Sequence, residues 1–302
     1  MQACFMVRKT KSMGLAHVHC HFAHTPTTVG MYAAHLEGVP FSFTAHAKDI
    51  YTQDPRRIED KIERAKFVVT CTKYNETHLS GIAPGGKPIH CVYHGINLSL
   101  FDPKGRSTKA RPPYTIMTVA RFVPKKGLDT VLKAIRLLRD RGLDVRYVLA
   151  GDGADKARVE GWIREFGLED VTEMTGTITH DDVIEHYRKA HLFVLGCRLA
   201  EDGDRDGIPN VVAESMAIGV PVAATDVSGV PELVEHEKTG LLCGPDDPEA
   251  LADNMQRLLA DDELRARVIP AAREKVLAVF DNEKLIHDLG EIYISHDVPC
   301  RR

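Results

Sequence analysis

Several things are scarce in this chain of 302 residues. No apolar run approaches the ~18 residues that a membrane-spanning helix needs, so any membrane contact is expected to be peripheral. The opening residues, Met1 to Ser12, lack the apolar core of a secretory signal. No charge of one sign dominates: 39 Lys and Arg stand against 43 Asp and Glu, for a formal net charge of −4. That balance supplies no electrostatic reason to expect nucleic acid as a partner. Cysteine is sparse and irregular. Cys4, Cys20, Cys71, Cys91, Cys197, Cys243 and Cys300 are odd in number, widely spaced and without a CxxC pair. They read as free thiols in a reducing cytoplasm rather than as a disulfide framework. Internal repeats and low-complexity tracts are absent as well.

What is present is an alternation. Short β-rich runs (Phe41–Ala45, Phe67–Thr70, Ile89–Tyr93) are separated by helical stretches after Pro26 and after Tyr74. A polar, proline-rich segment from Asp102 to Pro113 has the composition of a linker. The alternation then restarts with strands at Tyr114–Val119, Val145–Ala150, Leu192–Leu195 and Val220–Ala224. Between the first two lies a helix whose Leu128, Val131, Leu132, Ile135 and Leu138 recur at helical spacing. Helices close the chain from about Pro248. This order predicts an α/β protein built from βαβ units and parallel sheets. The expected division is a first domain over residues 1–104, a second over 105–280, and a closing helix over 281–302 that returns toward the first.

Three segments of the second half suit the holding of a diphosphate. In the first, the strand ending at Val119 places Arg121 past its carboxyl edge, where open α/β sheets bind ligands. Lys126 follows at a helix start. Arg offers a planar fork to phosphate oxygens and Lys a point charge, although two solvated cations near a helix would look the same. The second runs from Asp206 to Glu214. Gly207 permits close backbone approach, and Ile208, Pro209 and Asn210 lead into a helix whose free N–H groups make an anion site. Glu214, inside that helix, is placed to accept from a ribose diol; an ordinary surface glutamate is the alternative. The third, Ala224 to Glu232, is a strand end, a Ser-Gly turn and a helix start near Pro231.

In this order and spacing the three segments resemble the retaining glycosyltransferases of family 4, with a GT-B fold. The resemblance runs from about His17 to the last helix, and Glu201 to Ala217 looks especially like members that build exopolysaccharide, colanic-acid-type or lipopolysaccharide chains. It implies two Rossmann-like domains facing a cleft. It also implies transfer of a hexosyl group, with retention, from a UDP- or GDP-linked sugar to a saccharide or lipid-linked acceptor. Arg121 and Lys126 would neutralise the diphosphate and Glu214 would hold the ribose. Asp206 would touch the sugar hydroxyls, assisted by backbone N–H groups of Gly207 to Asn210. The family carries Glu where this chain has Asp206, one methylene shorter. No metal or other cofactor is implied, because cations and helix dipoles stabilise the leaving group. The protein is expected in the cytoplasm, in the open or peripherally at the inner membrane face.

In the first half, His46 follows a strand in Phe43–Asp49. The resemblance carries to it the role of the histidine near the sugar's reacting carbon, with Asp49 supporting the loop; a histidine with a purely structural role is the alternative. His17-Val-His19-Cys-His21 has alternate residues on one strand face, a pattern that can ligate zinc, so a metal-dependent hydrolase using His17 to His24 is a weaker reading. Asp202-Gly-Asp204-Arg-Asp206-Gly begins like a calcium loop, but its twelfth position is Ala213 instead of Glu, which argues against calcium. Only about forty-five residues precede His46, fewer than a GT-B N-terminal domain uses. The resemblance therefore implies an incomplete acceptor-side domain, with an exposed edge, a tendency to aggregate, and the further reading of a non-catalytic nucleotide-sugar-binding remnant.

Overall fold

The computed structural model describes residues 1–106 and 109–298, so Ser107, Thr108 and Cys300 of the segments above lie outside the described residues. The chain separates into two compact units. The first comprises Met1–His94, Glu201–Gly207 and the chain from Asn282; the second comprises Gly95–Ala200 and Ile208–Asp281.

The first unit opens with α1 (Gln2–Thr10), β1 (Val18–His21), α2 (Thr25–Glu37), β2 (Phe41–Ala45) and α3 (Ala47–Tyr51). It continues with α4 (Pro55–Arg64), β3 (Val68–Thr70), α5 (Lys73–Ile82) and β4 (Ile89–Cys91). The four strands are parallel and lie in chain order, β1-β2-β3-β4. All five residues of β2 are buried, as a central strand covered on both faces requires. Phe43, Ile58, Ile62, Val68 and Leu79 form the core beneath it.

The second unit contains β5 (Tyr114–Val119), α6 (Leu128–Asp140), β6 (Val145–Ala150), α7 (Lys156–Glu165), β7 (Thr172–Gly176) and α8 (His180–Lys189). Then come β8 (Leu192–Leu195), α9 (Asn210–Ala217), β9 (Val222–Thr225), α10 (Val230–Leu233) and β10 (Leu241–Cys243). Two helices, α11 (Pro248–Ala260) and α12 (Asp262–Val279), complete it, and α13 (Asn282–Ser295) belongs to the first unit. The sheet order is β10-β9-β8-β5-β6-β7. From β5 the chain winds outward through β6 and β7, then returns to the other side of β5 and winds the opposite way. The reversal falls between β5 and β8, whose parallel pairing runs Ile116 to Leu192 and Met117 to Phe193. The five helical positions singled out in the sequence, Leu128, Val131, Leu132, Ile135 and Leu138, are all buried on α6.

The differences from expectation are local. The strand expected at Val220 begins at Val222, because Val220 N–H donates to Ser215 and Pro221 has no N–H to give. The strand expected through Tyr93 ends at Cys91. Met1 to Ser12, given no element above, is mostly the helix α1.

Candidate functional site

In an open α/β sheet the crevice outside the carboxyl ends of two strands wound in opposite directions is the natural ligand site, because neither crossover covers it. In the second unit those strands are β5 and β8. Arg121 leaves the end of β5 and is exposed; Lys125 and Lys126 follow in a 3-10 turn, Pro124–Lys126, with both side chains buried. The loop is pinned on two sides. Phe122 N–H donates to the Asp152 carbonyl (2.9 Å) and Arg198 backbone N–H to the Lys125 carbonyl (2.9 Å). Gly127 makes the second pinning sterically feasible: its φ is +56°, and a Cβ there would stand 1.8 Å from the Gly196 carbonyl oxygen. No other residue type fits.

From the end of β8 the chain reaches α9, whose N-cap is Pro209 with no side-chain cap. Proline has no side-chain acceptor, so Pro209 does not itself cap the first-turn N–H groups from Asn210 on, which carry the positive end of the helix dipole. Glu214 lies one turn in and is half-buried. Burial raises its carboxyl pKa, and a hydrogen bond from Tyr187 opposes that rise. Tyr187 Oη, on buried α8 surface, lies 3.1 Å from Glu214 Oε2 and 3.2 Å from the Val211 carbonyl. Tyr187 was not singled out in the sequence. It stands 27 positions from Glu214, and no local motif links them.

Asp206 and Gly207 group with the first unit, while Ile208, Pro209, Asn210 and Glu214 group with the second. The segment Glu201–Gly207 is held to its unit by side-chain and backbone contacts. The Arg205 guanidinium lies 3.8 Å from the centre of the Tyr51 ring, a cation–π contact. A Cβ on Gly203 would stand 3.0 Å from the Tyr51 carbonyl, and one on Gly207 3.0 Å from the Thr72 methyl. Gly207 thus also lets this segment pass close to Thr72 and Cys71. Asp204 N–H donates to Asp202 (2.9 Å), an internal turn of this acidic loop.

His46 follows β2 and caps α3. Its backbone N–H donates to the Asp49 carboxylate (3.2 Å to each oxygen), which also accepts from Ala23 N–H. Asp49 is buried, and burial raises its pKa while these bonds pull it down. It therefore ties the β2 loop to the loop after β1. His46 Nδ1 is 3.0 Å from His94 Nε2. Burial and then the neighbouring His21 lower the His46 pKa. His94 is open to solvent on one side, yet the atoms packed around its ring, and then His46, hold its pKa at about 4.

The histidine run does not form a metal-ligand set. His17 Nε2 and His19 Nδ1 both meet the Ser42 hydroxyl at 2.7 Å, and His19 Nε2 meets Thr44 Oγ1 at 2.8 Å. Tyr293 of α13 and Phe67 pack on the same two rings. Among the described residues, the group of His, Cys and acidic side chains close enough to share an ion is His46, Cys71 and His94. Asp202, Asp204 and Asp206 are not in it. Cys4, Cys20, Cys71, Cys91, Cys197 and Cys243 are outside any disulfide.

Residues 103–275, which include β5, the Arg121 loop and α9, match the family described as Glycosyl transferases group 1. The chain belongs to that family. Among its curated relatives is WcaL of Escherichia coli (strain K12), named for colanic acid biosynthesis, which is 37% identical over 200 residues, 66% of this chain and 49% of that protein. The amylovoran biosynthesis glycosyltransferase AmsK of Erwinia amylovora is 34% identical over 204 residues, 68% of this chain and 50% of that protein. The chain spans about half the length of these curated relatives. The fold is that of solved GT-B glycosyltransferases. The Anabaena Alr3699/HepE structure in complex with UDP and glucose superposes with a TM-score of 0.82 at 18% identity, covering 97% of this chain and 81% of that one. Within this group 1 chain, the family match covers Arg121, Lys126, Ile208, Pro209, Asn210 and Glu214 and begins well after His46.

Proposed function

We propose that this chain acts as a retaining, family 4 glycosyltransferase that moves a hexosyl group from a UDP- or GDP-linked sugar to a saccharide or lipid-linked acceptor. The observation that supports the reading is the placement of the Arg121–Lys126 loop and the start of α9, both suited to an anion, after the two strands of the β5/β8 reversal. In this reading the bond between the sugar's anomeric carbon and the diphosphate oxygen breaks. Arg121 and Lys126 take up the charge on the departing nucleoside diphosphate, with N–H groups from Gly207 to Asn210 assisting. Glu214 accepts from the ribose diol. Asp206 addresses the sugar hydroxyls, and His46 acts near the reacting carbon, where the acceptor hydroxyl forms the new bond and passes its proton to the departing diphosphate oxygen. The chemistry calls for no resident metal or organic cofactor. A lipid-linked acceptor would bring the protein to a membrane surface peripherally, since no helix among the described residues is long and apolar enough to cross one.

Calorimetry with UDP and with GDP tests the donor site. A charge-assisted hydrogen bond contributes about 1.5–3 kcal/mol, so the double variant Arg121→Ala, Lys126→Ala should bind at least about 100-fold more weakly than the parent. Equal affinity would remove the assignment. Release of UDP or GDP from the sugar nucleotide in the presence of acceptor separates a working transferase from a protein that only binds its donor.

A further inference from the structure

The carboxyl edge of the first sheet gathers a second set of chemically able side chains. Parallel strands in register deliver the residues just past their ends to neighbouring positions. Ala45 of β2 pairs with Thr70 of β3, and Thr70 pairs with Cys91 of β4. The residues that follow are His46, Cys71 and, three positions beyond β4, His94. Their ligand atoms all lie within 4.8 Å of one another, and His46 Nδ1 and His94 Nε2 are 3.0 Å apart.

We propose that His46, Cys71 and His94 form a three-ligand site for a soft divalent cation of the Zn²⁺ class. Two imidazoles and a thiolate are the donor set that zinc prefers over harder ions. With Zn–N near 2.0–2.1 Å and Zn–S near 2.3 Å, ligand atoms on one tetrahedral ion stand about 3.3–3.8 Å apart, so closing the site needs side-chain shifts on the order of 1 Å. Cys71 is buried and His94 is exposed, which gives the ion a path in and leaves the fourth position to water. Binding releases the thiol proton to solvent, while the N–H between the two imidazoles moves to the far nitrogen of its own ring, so both stay neutral ligands and no oxidation state changes. Elsewhere on this sheet both ring nitrogens of His19 meet hydroxyls, of Ser42 and Thr44, and His17 Nε2 meets Ser42. The consequence for activity rests on the role proposed above for His46, which a bound ion would take out of reach of substrate. The binding itself does not rest on it.

Cobalt reports the donor set directly. Titrating the metal-free, reduced full chain with Co²⁺ should saturate at one equivalent, with tetrahedral visible bands and a thiolate-to-cobalt charge-transfer band in the near ultraviolet. Cys71→Ser should abolish the charge-transfer band, and His94→Ala should weaken Co²⁺ binding at least about tenfold. Cys243→Ser should leave both signals intact. Far-ultraviolet circular dichroism on each variant shows that the fold is kept. Absence of the charge-transfer band in the parent, or its survival in Cys71→Ser, overturns the site. Nucleotide calorimetry on the same samples keeps the two ideas apart, because loss of UDP and GDP binding would count against the donor reading and leave the cobalt spectrum as it is.

Discussion

A partly buried carboxylate is easier to keep charged where a donor reaches it, and the hydroxyl of Tyr187 lies 3.1 Å from Glu214 Oε2. Burial pushes the Glu214 pKa up, and the tyrosine hydroxyl pulls it back. Tyr187→Phe removes one hydrogen bond of about 0.5–1.5 kcal/mol and lets the Glu214 pKa climb further. Nucleoside diphosphate affinity should therefore fall up to about tenfold, and by a larger factor at pH 5.5 than at pH 7.5, because a protonated Glu214 accepts less well from a ribose diol. A calorimetric affinity unchanged at both pH values would show that Tyr187 has no positioning role. Arg121, Lys126 and Glu214 were legible in the sequence because each sits at a fixed distance from a strand end or helix start. Tyr187 and His94 were not, because their partners are 27 and 48 positions away and only the fold brings them together.

Among elements, α13 packs against a cluster of histidines, so its attachment is expected to depend on pH. Its Tyr293 covers His17 and His19, and His296, just past its end, stacks on Phe67 at 4.6 Å between ring centres while Nε2 meets His90 Nε2 at 2.8 Å. Burial first, then His296 and Lys73, lower the His90 pKa, with Glu76 opposing. Burial first, then Lys66, lower that of His296, with Asp297 opposing. Both folded-state values thus lie below the ordinary 6.5, so the detached helix binds more protons and attachment weakens as pH falls below 6.5. Backbone amide exchange over residues 282–298 should be faster at pH 5.5 than at 7.5 once corrected for intrinsic rates. Equal protection would mean that the pair does not govern docking. The alternation of strands and helices was readable from composition and period. The exceptions were weak signals: β7 reads Thr-Glu-Met-Thr-Gly with one large apolar side chain, β10 spans three residues, and α1 buries none of its side chains.

For the whole molecule, the two sheets differ in winding. The second sheet reverses between β5 and β8, the topology at which open α/β sheets bind ligands, whereas the four described strands of the first run in chain order without a reversal. Strand order was beyond reach of the sequence, because period and composition say that a strand exists and not which neighbour it takes. β1 is an edge strand of the described sheet, and Phe5, Met13, Tyr32 and Leu36 of the same unit expose 59%, 62%, 55% and 56% of their surface. Exposed apolar groups beside a sheet edge favour self-association. Sedimentation velocity should show concentration-dependent association of the parent that Phe5→Ser, Leu36→Ser reduces; a monomeric parent at high concentration would contradict this. The backbone, finally, changes unit after His94, Ala200, Gly207 and Asp281. Neither unit is a contiguous cassette. A chimera that transplants residues 95–281 as one block carries a seven-residue passenger, Glu201–Gly207, whose contacts with Tyr51 and Thr72 stay behind in the recipient's own sequence. Shuffling specificity between relatives by a single crossover therefore mismatches that loop, and a working exchange must move it with the donor's Tyr51 and Thr72 neighbourhood.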